Sequence, residues 1–420
     1  MNKIKEIKAR EILASGGSPS LEVEVVLENN IKGCASVSYG VSFGSLEAFV
    51  LRDEDPKRYF GKGMLKALVN VNEKIAPLLT GKNASDQRNI DKLMIDADGT
   101  ANKSNLGANA ILGVSMAVAR AASNDAKLEL YEYLSQIYSL PTTHYPLPKP
   151  MVVMIEGGVH ADNSTDLQEY LVSALRDDLS AAENIRMQME IYEALKQILK
   201  KIGLSTNVGN EGAFAPYGLA SNEKPLEYLM EAIVKAGYKP GVDAGLSIDA
   251  AASEFYHDGL YQLKTEKRAL DSANMIKMYL EWFKKYPIVT AEDMLSEFDW
   301  NSWPKLLHQS GKVKIVADDL TVTNVKLLEK AIQMRAANAI LIKLNQAGTV
   351  TETVDTCTLA NKNHVVTIPS HRGGGETNDT FLVDLAVAVG SQWIKVGPTR
   401  GERVCKYNRL MKIEEDINGN

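Results

Sequence analysis

The chain has 420 residues, with 47 Lys and Arg against 53 Asp and Glu, which gives a formal net charge of −6. This acidic balance argues against a nucleic-acid partner, and 45% hydrophobic with 24% charged residues excludes a disordered or collagen-like chain. No apolar run approaches the roughly 18 residues that span a bilayer, so we expect no membrane partner. The N-terminus has no apolar segment and the three cysteines lie far apart, so we expect no secretory signal and a cytoplasmic location.

The first part of the chain, residues 1–140, predicts a small α+β domain. Residues 21–27 alternate between apolar and acidic side chains, which is typical of a strand with one solvated face. A Gly-Gly-Ser-Pro turn precedes them, so residues 4–13 and 20–28 are expected to pair as antiparallel strands. One apolar stripe over residues 64–79 and an Ala- and Gly-rich segment over 107–122 predict helices.

The remainder, residues 141–420, opens on a Pro-rich passage that we interpret as a linker and then alternates short apolar runs with helical patterns. Because these runs show no solvated face, they favour a parallel sheet covered on both sides. The length suits a closed β/α barrel of the TIM type, whereas no GxGxxG motif supports the alternative, a doubly wound open sheet. The runs are residues 245–249, 287–292, 313–318, 339–343, 364–370 and 392–395.

Charged side chains stand at the ends of these runs. The carboxyl ends of barrel strands meet at one mouth, so groups distant in sequence are expected to lie together there. An acid after a strand is also a common helix N-cap, an interpretation that stays open for Asp293 and Asp319, and a lysine in an apolar run also fits an edge strand. The groups are Asp249, Glu292-Asp293, Asp318-Asp319, Lys343, His371-Arg372 and Lys395.

Three carboxylates without a thiol favour a hard cation such as Mg²⁺. A lysine beside this metal would have a lowered pKa and act as a base near neutral pH. An Arg, a His and a second Lys nearby suit a small anionic substrate that carries phosphate and carboxylate groups. The chemistry indicated is removal of a proton next to a carboxylate, with metal charge stabilising the enediolate.

Longer motifs extend these observations, and with them the chain resembles the enolase family over essentially its whole length. The resemblance implies an α/β protein with an N-terminal α+β domain followed by a barrel whose first strands break the regular order. It also implies a homodimer or an octamer built from dimers. The motifs are residues 51–53 (LRD), 61–63 (GKG), 106–115 (LGANAILGVS), 248–256 (IDAAASEFY), 317–324 (ADDLTVTN), 341–346 (LIKLNQ), 370–372 (SHR) and 406–410 (KYNRL).

The resemblance further implies a Mg²⁺-dependent lyase of glycolysis that dehydrates 2-phosphoglycerate to phosphoenolpyruvate. Lys343 would remove the C2 proton, and Glu211, supported by Glu169, would assist departure of the C3 hydroxyl group. The metal ligands would be Asp249, Glu292 and Asp318 for the first Mg²⁺ and Ser42 for the second. The substrate-binding residues would be His160, Gln168, His371, Arg372 and Lys395.

Residue patterns alone do not assign several of these roles. Without the resemblance, Glu169 reads as a helix-face acid, Glu211 as a turn acid and His160 as a loop histidine, and Ser42 carries no signal. These assignments therefore rest on the resemblance, whereas the groups at the strand ends have independent support.

The chain departs from the family's pattern around the substrate. The family's Ser-Gly-Ala-Ser-Thr-Gly loop is residues 39–44 (YGVSFG), and its Ser-His-Arg-Ser-Gly-Glu is residues 370–376 (SHRGGGE) with one inserted residue. Glu156 replaces the Asn of an Asn-Gly-Gly motif, and Asn210 replaces the Asp before Glu211. Two alternatives follow: a paralogue acting on a phosphonate or another 2-phosphoglycerate analogue, and a non-catalytic binding or structural protein, against which the complete set of acids and lysines argues.

Overall fold

The computed structural model describes residues 2–40, 44–140 and 145–419. Its N-terminal part begins with an antiparallel meander of β1 (Ile4–Leu13), β2 (Pro19–Leu27) and β3 (Lys32–Ser36), followed by the short β4 (Tyr39–Gly40). The predicted pairing of the first two strands is confirmed, with Leu13 opposite Pro19 and Ile4 opposite Leu27.

Helices cover one face of this meander. The stripe over residues 64–79 is not one helix, because a π-helical segment (Asn70–Ile75) interrupts it and Pro77 lies at the start of the next helix. The Ala-rich helix packs on β2 and β3, and at Gly33 an added Cβ would lie 2.2 Å from a backbone nitrogen of this helix. The helices are α1 (Leu65–Val69), α2 (Ala76–Leu79), α3 (Gln87–Asp98), α4 (Ala108–Ala126) and α5 (Leu130–Ile137).

The second part contains the remaining strands and helices. The strands are β5 (Lys149–Glu156), β6 (Glu169–Ala174), β7 (Ala244–Asp249), β8 (Tyr256–His257), β9 (Leu260–Leu263), β10 (Arg268–Leu270), β11 (Ile288–Glu292), β12 (Lys314–Ala317), β13 (Ala339–Ile342), β14 (Val366–Pro369), β15 (Gly374–Gly375) and β16 (Trp393–Val396). The helices are α6 (Ala181–Lys201), α7 (Lys224–Lys235), α8 (Ser272–Lys285), α9 (Trp303–Gln309), α10 (Val325–Met334), α11 (Leu344–Ala347), α12 (Val350–Lys362), α13 (Phe381–Ala388) and α14 (Gly401–Asn418). The end of the Pro-rich passage that we interpreted as a linker belongs to β5.

Eight of these strands form one sheet in the order β14-β13-β12-β11-β7-β6-β5-β16. A bridge between Ser370 and Lys395 joins its two ends, so the sheet closes into a barrel and the open-sheet alternative is wrong. Strand β6 runs antiparallel to both β5 and β7, while the other pairs are parallel. The predicted α/β fold, with irregular first strands, is confirmed.

The mouth of the barrel lies against the N-terminal part. Strand β4 pairs with β15, which places Gly40 opposite Gly374 just after the last residues of β14. Arg120 of α4 donates two hydrogen bonds of 2.7 Å to Asp379, which fixes the two parts at a second place. Among the described residues, no helix combines the length and the hydropathy that crossing a bilayer requires.

Candidate active site

Lys395 of β16 lies among three carboxylates at the mouth of the barrel. Its Nζ is 2.8 Å from Glu169 Oε2, 2.9 Å from Asp249 Oδ2 and 2.8 Å from Glu292 Oε2. The register explains this convergence, because Asp249 pairs with Glu169 on one side and with Glu292 on the other. Burial acts to lower the pKa of Lys395, but the three carboxylates outweigh it and raise the pKa well above its usual value. The ammonium group therefore stays charged.

Lys343 follows β13 and forms an ion pair with Asp318, which follows β12. The other carboxylate oxygen of Asp318 accepts a hydrogen bond of 2.9 Å from Gln346, whose own oxygen accepts one of 2.8 Å from Thr323. Burial acts to lower the pKa of Lys343, but the Asp318 charge outweighs it and the net pKa is raised. The positive charge of a metal ion bound beside Asp318 would act in the opposite direction and lower this pKa.

A further carboxylate, that of Asp293, holds the backbone that carries Asp318. Asp293, at a positive φ of 41°, accepts hydrogen bonds from the backbone N–H groups of Asp318 at 2.9 Å and Asp319 at 2.8 Å. It caps no helix, so the N-cap interpretation of Asp293 is wrong. Burial, followed by the charges of Asp318 and Asp249, raises the pKa of Asp293 well above its usual value.

The acids around Lys343 and Lys395 have the oxygen donors that suit Mg²⁺. Oxygen atoms of Asp293, Asp318 and Asp319 lie within 4.8 Å of one another, and Asp249 and Glu292 lie together around Lys395. Asp249 and Glu292 already hold one cation, the Lys395 ammonium group, at hydrogen-bonding distance. Burial and then Asp249 raise the pKa of Glu292, as expected where carboxylates outnumber the nearby cations. The oxygen donors therefore suit a divalent ion, but the closely spaced group joins Asp318 to Asp293 and Asp319, whereas the predicted ligand set joins it to Asp249 and Glu292.

Two histidines and Glu211 form the other side of the site. Glu211 Oε1 is 3.6 Å from His160 Nδ1 and 3.4 Å from His371 Nε2, which is longer than a usual hydrogen bond. Both nitrogens of His160, the Nε2 of His371 and one oxygen each of Glu211 and Gln168 are buried without a hydrogen-bond partner among the described residues. Buried polar groups of this kind mark a place where a ligand or water binds.

Arg403 of α14 orients one of these histidines. This buried arginine donates its Nε–H to His371 Nδ1 at 3.2 Å, so the proton of a neutral His371 ring must lie on Nε2, facing Glu211. Burial lowers the pKa of His371 and of His160, although Glu211 acts in the opposite direction, so both rings are neutral near pH 7. Arg403 also donates to the backbone oxygen of Arg372 at 3.2 Å.

Glu156 lies beneath Glu211, at the end of β5. Its fully buried carboxylate accepts hydrogen bonds from the backbone N–H of Glu211 at 3.0 Å and of Ala213 at 2.8 Å. Burial, followed by the Glu211 charge, raises the pKa of Glu156 to about 8. The departure from Asn at this position therefore adds a titratable group directly under the predicted catalytic acid.

Gly373 explains another departure from the family's pattern. A Cβ at this position would lie 2.6 Å from the His160 ring and 2.8 Å from Glu211 Oε1. The serine of the family would therefore force this side of the site apart, so the glycine belongs to a contracted arrangement of His160 and Glu211.

The structure thus brings together all the predicted site residues that it describes; Ser42 lies outside the described residues. Sequence reasoning missed Gln346, Arg403 and Glu47, which pairs with Arg372 at 3.2 Å. Gln346 lies in the motif of residues 341–346, whereas no pattern in the sequence distinguishes Glu47 or Arg403 from surface charges.

Comparison with protein families agrees with this geometry. The family model described as "Enolase, N-terminal domain" matches residues 4–134, and the one described as "Enolase, C-terminal TIM barrel domain" matches residues 144–420. With both models matched in this order over nearly the whole chain, the protein belongs to the enolase family.

Proposed function

We propose that the protein is a Mg²⁺-dependent hydro-lyase that converts 2-phosphoglycerate to phosphoenolpyruvate. The observation that supports it most is the position of Lys395, which contacts Glu169 beside the histidines and Asp249 and Glu292 in the acid cluster. A base, an acid and an anion-binding cation are thereby held within one buried site. Proton removal at one carbon and loss of hydroxide at the next require this combination.

Lys343 is proposed to take the proton from C2. An amine accepts a proton only when neutral, and the Asp318 contact opposes that state. When bound by Asp249, Glu292 and Asp318, Mg²⁺ would offset the Asp318 charge and stabilise negative charge on the substrate carboxylate. Lys395 adds a fixed positive charge for the same carboxylate.

Glu211 and Glu169 are proposed to assist the second half of the reaction. The C3–O bond breaks, and the hydroxide leaves as water after it takes a proton. Burial, followed by the Glu211 charge, raises the pKa of Glu169 well above its usual value, so this carboxyl pair retains a proton near neutral pH. His160 and Gln168 have polar atoms without partners among the described residues and would contact the substrate.

Arg372 is proposed to bind the phosphoryl group. Its buried guanidinium lies beside Asn345, whose Nδ2 is a buried donor without an acceptor in the described part of the chain. An incoming phosphoryl oxygen would satisfy that donor.

The test is to incubate the purified protein with 2-phosphoglycerate and Mg²⁺ and to follow phosphoenolpyruvate by its ultraviolet absorbance. We expect turnover that chelation of the metal abolishes. If Mg²⁺ binds but 2-phosphoglycerate is not converted, the proposed substrate is wrong.

A paralogue acting on a phosphonate or another 2-phosphoglycerate analogue is the second candidate. The contraction at Gly373 and the buried Glu156 favour it, because both change the side of the site that holds the leaving group. Parallel assays with phosphonate analogues separate the two candidates. The cytoplasmic location and the dimeric or octameric assembly stay predictions from the sequence.

A further inference from the structure

Arg372 is already paired with a carboxylate from the N-terminal part of the chain. Glu47 Oε1 lies 3.2 Å from one guanidinium nitrogen, and both Glu47 oxygens lie 3.3 Å from another. The side chains are only 4% and 5% exposed, so the pair is shielded from water and strengthened by its surroundings. Glu47 therefore occupies part of the surface that an incoming anion needs.

The geometry of this pair is loose. A second bridge between the two parts, Arg120 with Asp379, has two hydrogen bonds of 2.7 Å, the usual length for charged partners. Glu47 instead shares its oxygens among donors at 3.1 Å or more, including Gln346 at 3.1 Å and the N–H of Gly44 at 3.3 Å. Such a contact is easier to replace than the Arg120 bridge.

The guanidinium has little room to leave. A Cβ on Gly40 would lie 2.0 Å from Arg372 Nη2, so the backbone of β4 confines the arginine on that side. Arg372 also contacts Asn345 Oδ1 at 3.3 Å. When an anion arrives, Glu47 is the partner that must move.

We propose that Glu47 is an internal competitor for the anion site of Arg372, displaced by the phosphoryl or phosphonyl group of the substrate. This inference rests on the role of Arg372 in the proposed function. A ligand with a single carboxylate would form the same interaction with Arg372 that Glu47 already forms, so replacing Glu47 would bring it little binding energy. A phosphoryl dianion has more charge and three oxygens, so its interaction with Arg372 would be stronger. A ligand must therefore interact with Arg372 more strongly than Glu47 does in order to bind there.

Displacement of Glu47 also reaches the acid cluster. The Nε2 of Gln346 is shared between Glu47 at 3.1 Å and Asp318 at 2.9 Å. Once Glu47 leaves, the amide group is held by Asp318 and Thr323 alone. Anion binding at Arg372 is thereby linked to the side chain that orients a predicted metal ligand.

The test is the affinity of the full-length protein for inorganic phosphate, measured by calorimetry at fixed Mg²⁺ and pH. Glu47→Gln keeps the size of the side chain but removes its charge, so we expect phosphate to bind about tenfold more tightly. Glu47→Asp, which keeps the charge but withdraws it by one methylene, is expected to show a smaller gain. With the substrate, Glu47→Gln lowers KM and does not raise kcat.

Glu297→Gln is the matched control, because Glu297 contacts Ser45 in the same segment at 2.9 Å. We expect its phosphate affinity to equal that of the unmodified protein. Phosphate that binds no more tightly, or more weakly, to Glu47→Gln overturns the inference. Arg372→Gln separates the competitor role of Glu47 from the phosphate-binding role of Arg372. If this variant binds phosphate as tightly as the unmodified protein, the role of Arg372 in the proposed function is wrong as well.

Discussion

The two sides of the barrel mouth differ in how their polar groups are satisfied. On the side of Lys343 and Lys395, each ammonium group contacts carboxylates, and the Lys395 contacts are 2.8–2.9 Å long. On the side of His160, Glu211 and His371, the nearest ring nitrogens and carboxylate oxygens are 3.4–3.6 Å apart, and several buried polar atoms have no partner among the described residues. We call these the ionic side and the histidine side.

The difference separates what holds the site together from what meets the substrate. An unsatisfied buried polar group costs about 1–3 kcal/mol, so a chain that keeps several in one place gives up stability there. This deficit is smaller on the ionic side, because each ammonium group contacts a carboxylate before any ligand binds. We infer that the ion pairs of the ionic side hold the site in shape, whereas the polar atoms of the histidine side form hydrogen bonds once a ligand binds.

The largest expected effect comes from removing Lys343, the proposed base on the ionic side. Lys343→Ala should lower turnover about 10³-fold, because general base catalysis contributes roughly 10²–10⁴. It should also abolish exchange of the C2 proton with deuterated water, measured by NMR. Lys362→Ala, at an exposed position of α12, is the control and should leave both rates unchanged. C2 exchange that persists in Lys343→Ala would contradict the assignment of the base.

A smaller effect is expected from the histidine side. Glu211→Gln should lower dehydration about 10²-fold while C2 exchange continues, because our proposal assigns proton removal to Lys343 on the ionic side. Exchange and product formation are measured on the same sample. Equal loss of both rates would show that the two sides do not divide the reaction as we propose.

The sequence predicted the ionic side well for a physical reason. Asp249, Glu292 and Lys395 end regular strands, and the barrel itself brings strand ends together. The histidine side could not be derived in this way, because His160 and Glu211 lie on irregular segments whose paths depend on contacts distant in sequence. Only the family resemblance identified these residues.

The residues that contact and position the predicted site residues were the least predictable. For Asp293 the sequence left a helix cap open as one alternative, whereas its carboxylate accepts hydrogen bonds from the backbone just after β12. Glu47 has no distinguishing pattern, since its partner is 325 residues away. Such roles are set by packing between elements, which a single sequence does not specify.

The next prediction concerns Asp293, which holds the backbone of Asp318 on the ionic side. Asp293→Asn should weaken Mg²⁺ binding about tenfold, because it weakens the hold on the backbone of Asp318 and Asp319. Affinity is measured by calorimetry with the metal alone. Asp271→Asn alters the N-cap of α8 and serves as the control. An unchanged Mg²⁺ affinity in Asp293→Asn would mean that this carboxylate does not position the metal ligands.

The last effect is expected from Glu156, below the histidine side, and it concerns the pH dependence of stability. Its folded-state pKa of about 8 lies above the ordinary 4.5, so the folded protein binds a proton that the unfolded chain releases. Stability must then fall as the pH rises from 4.5 towards 8. Glu156→Gln removes this titration and should stabilise the protein by about 3 kcal/mol more at pH 8 than at pH 5.

Urea unfolding at both pH values measures this difference, and Glu193→Gln, which changes a solvent-facing acid of α6, is the control expected to show none. If Glu156→Gln and the unmodified protein share one pH slope, Glu156 is ionised in the folded state, as its backbone hydrogen bonds alone would favour. A proton on Glu156 is consistent with a charged Glu211 above it. A charged Glu156 would instead raise the proton affinity of Glu211 and make that residue the better acid. The slope therefore tells whether Glu156 holds a proton before the substrate arrives.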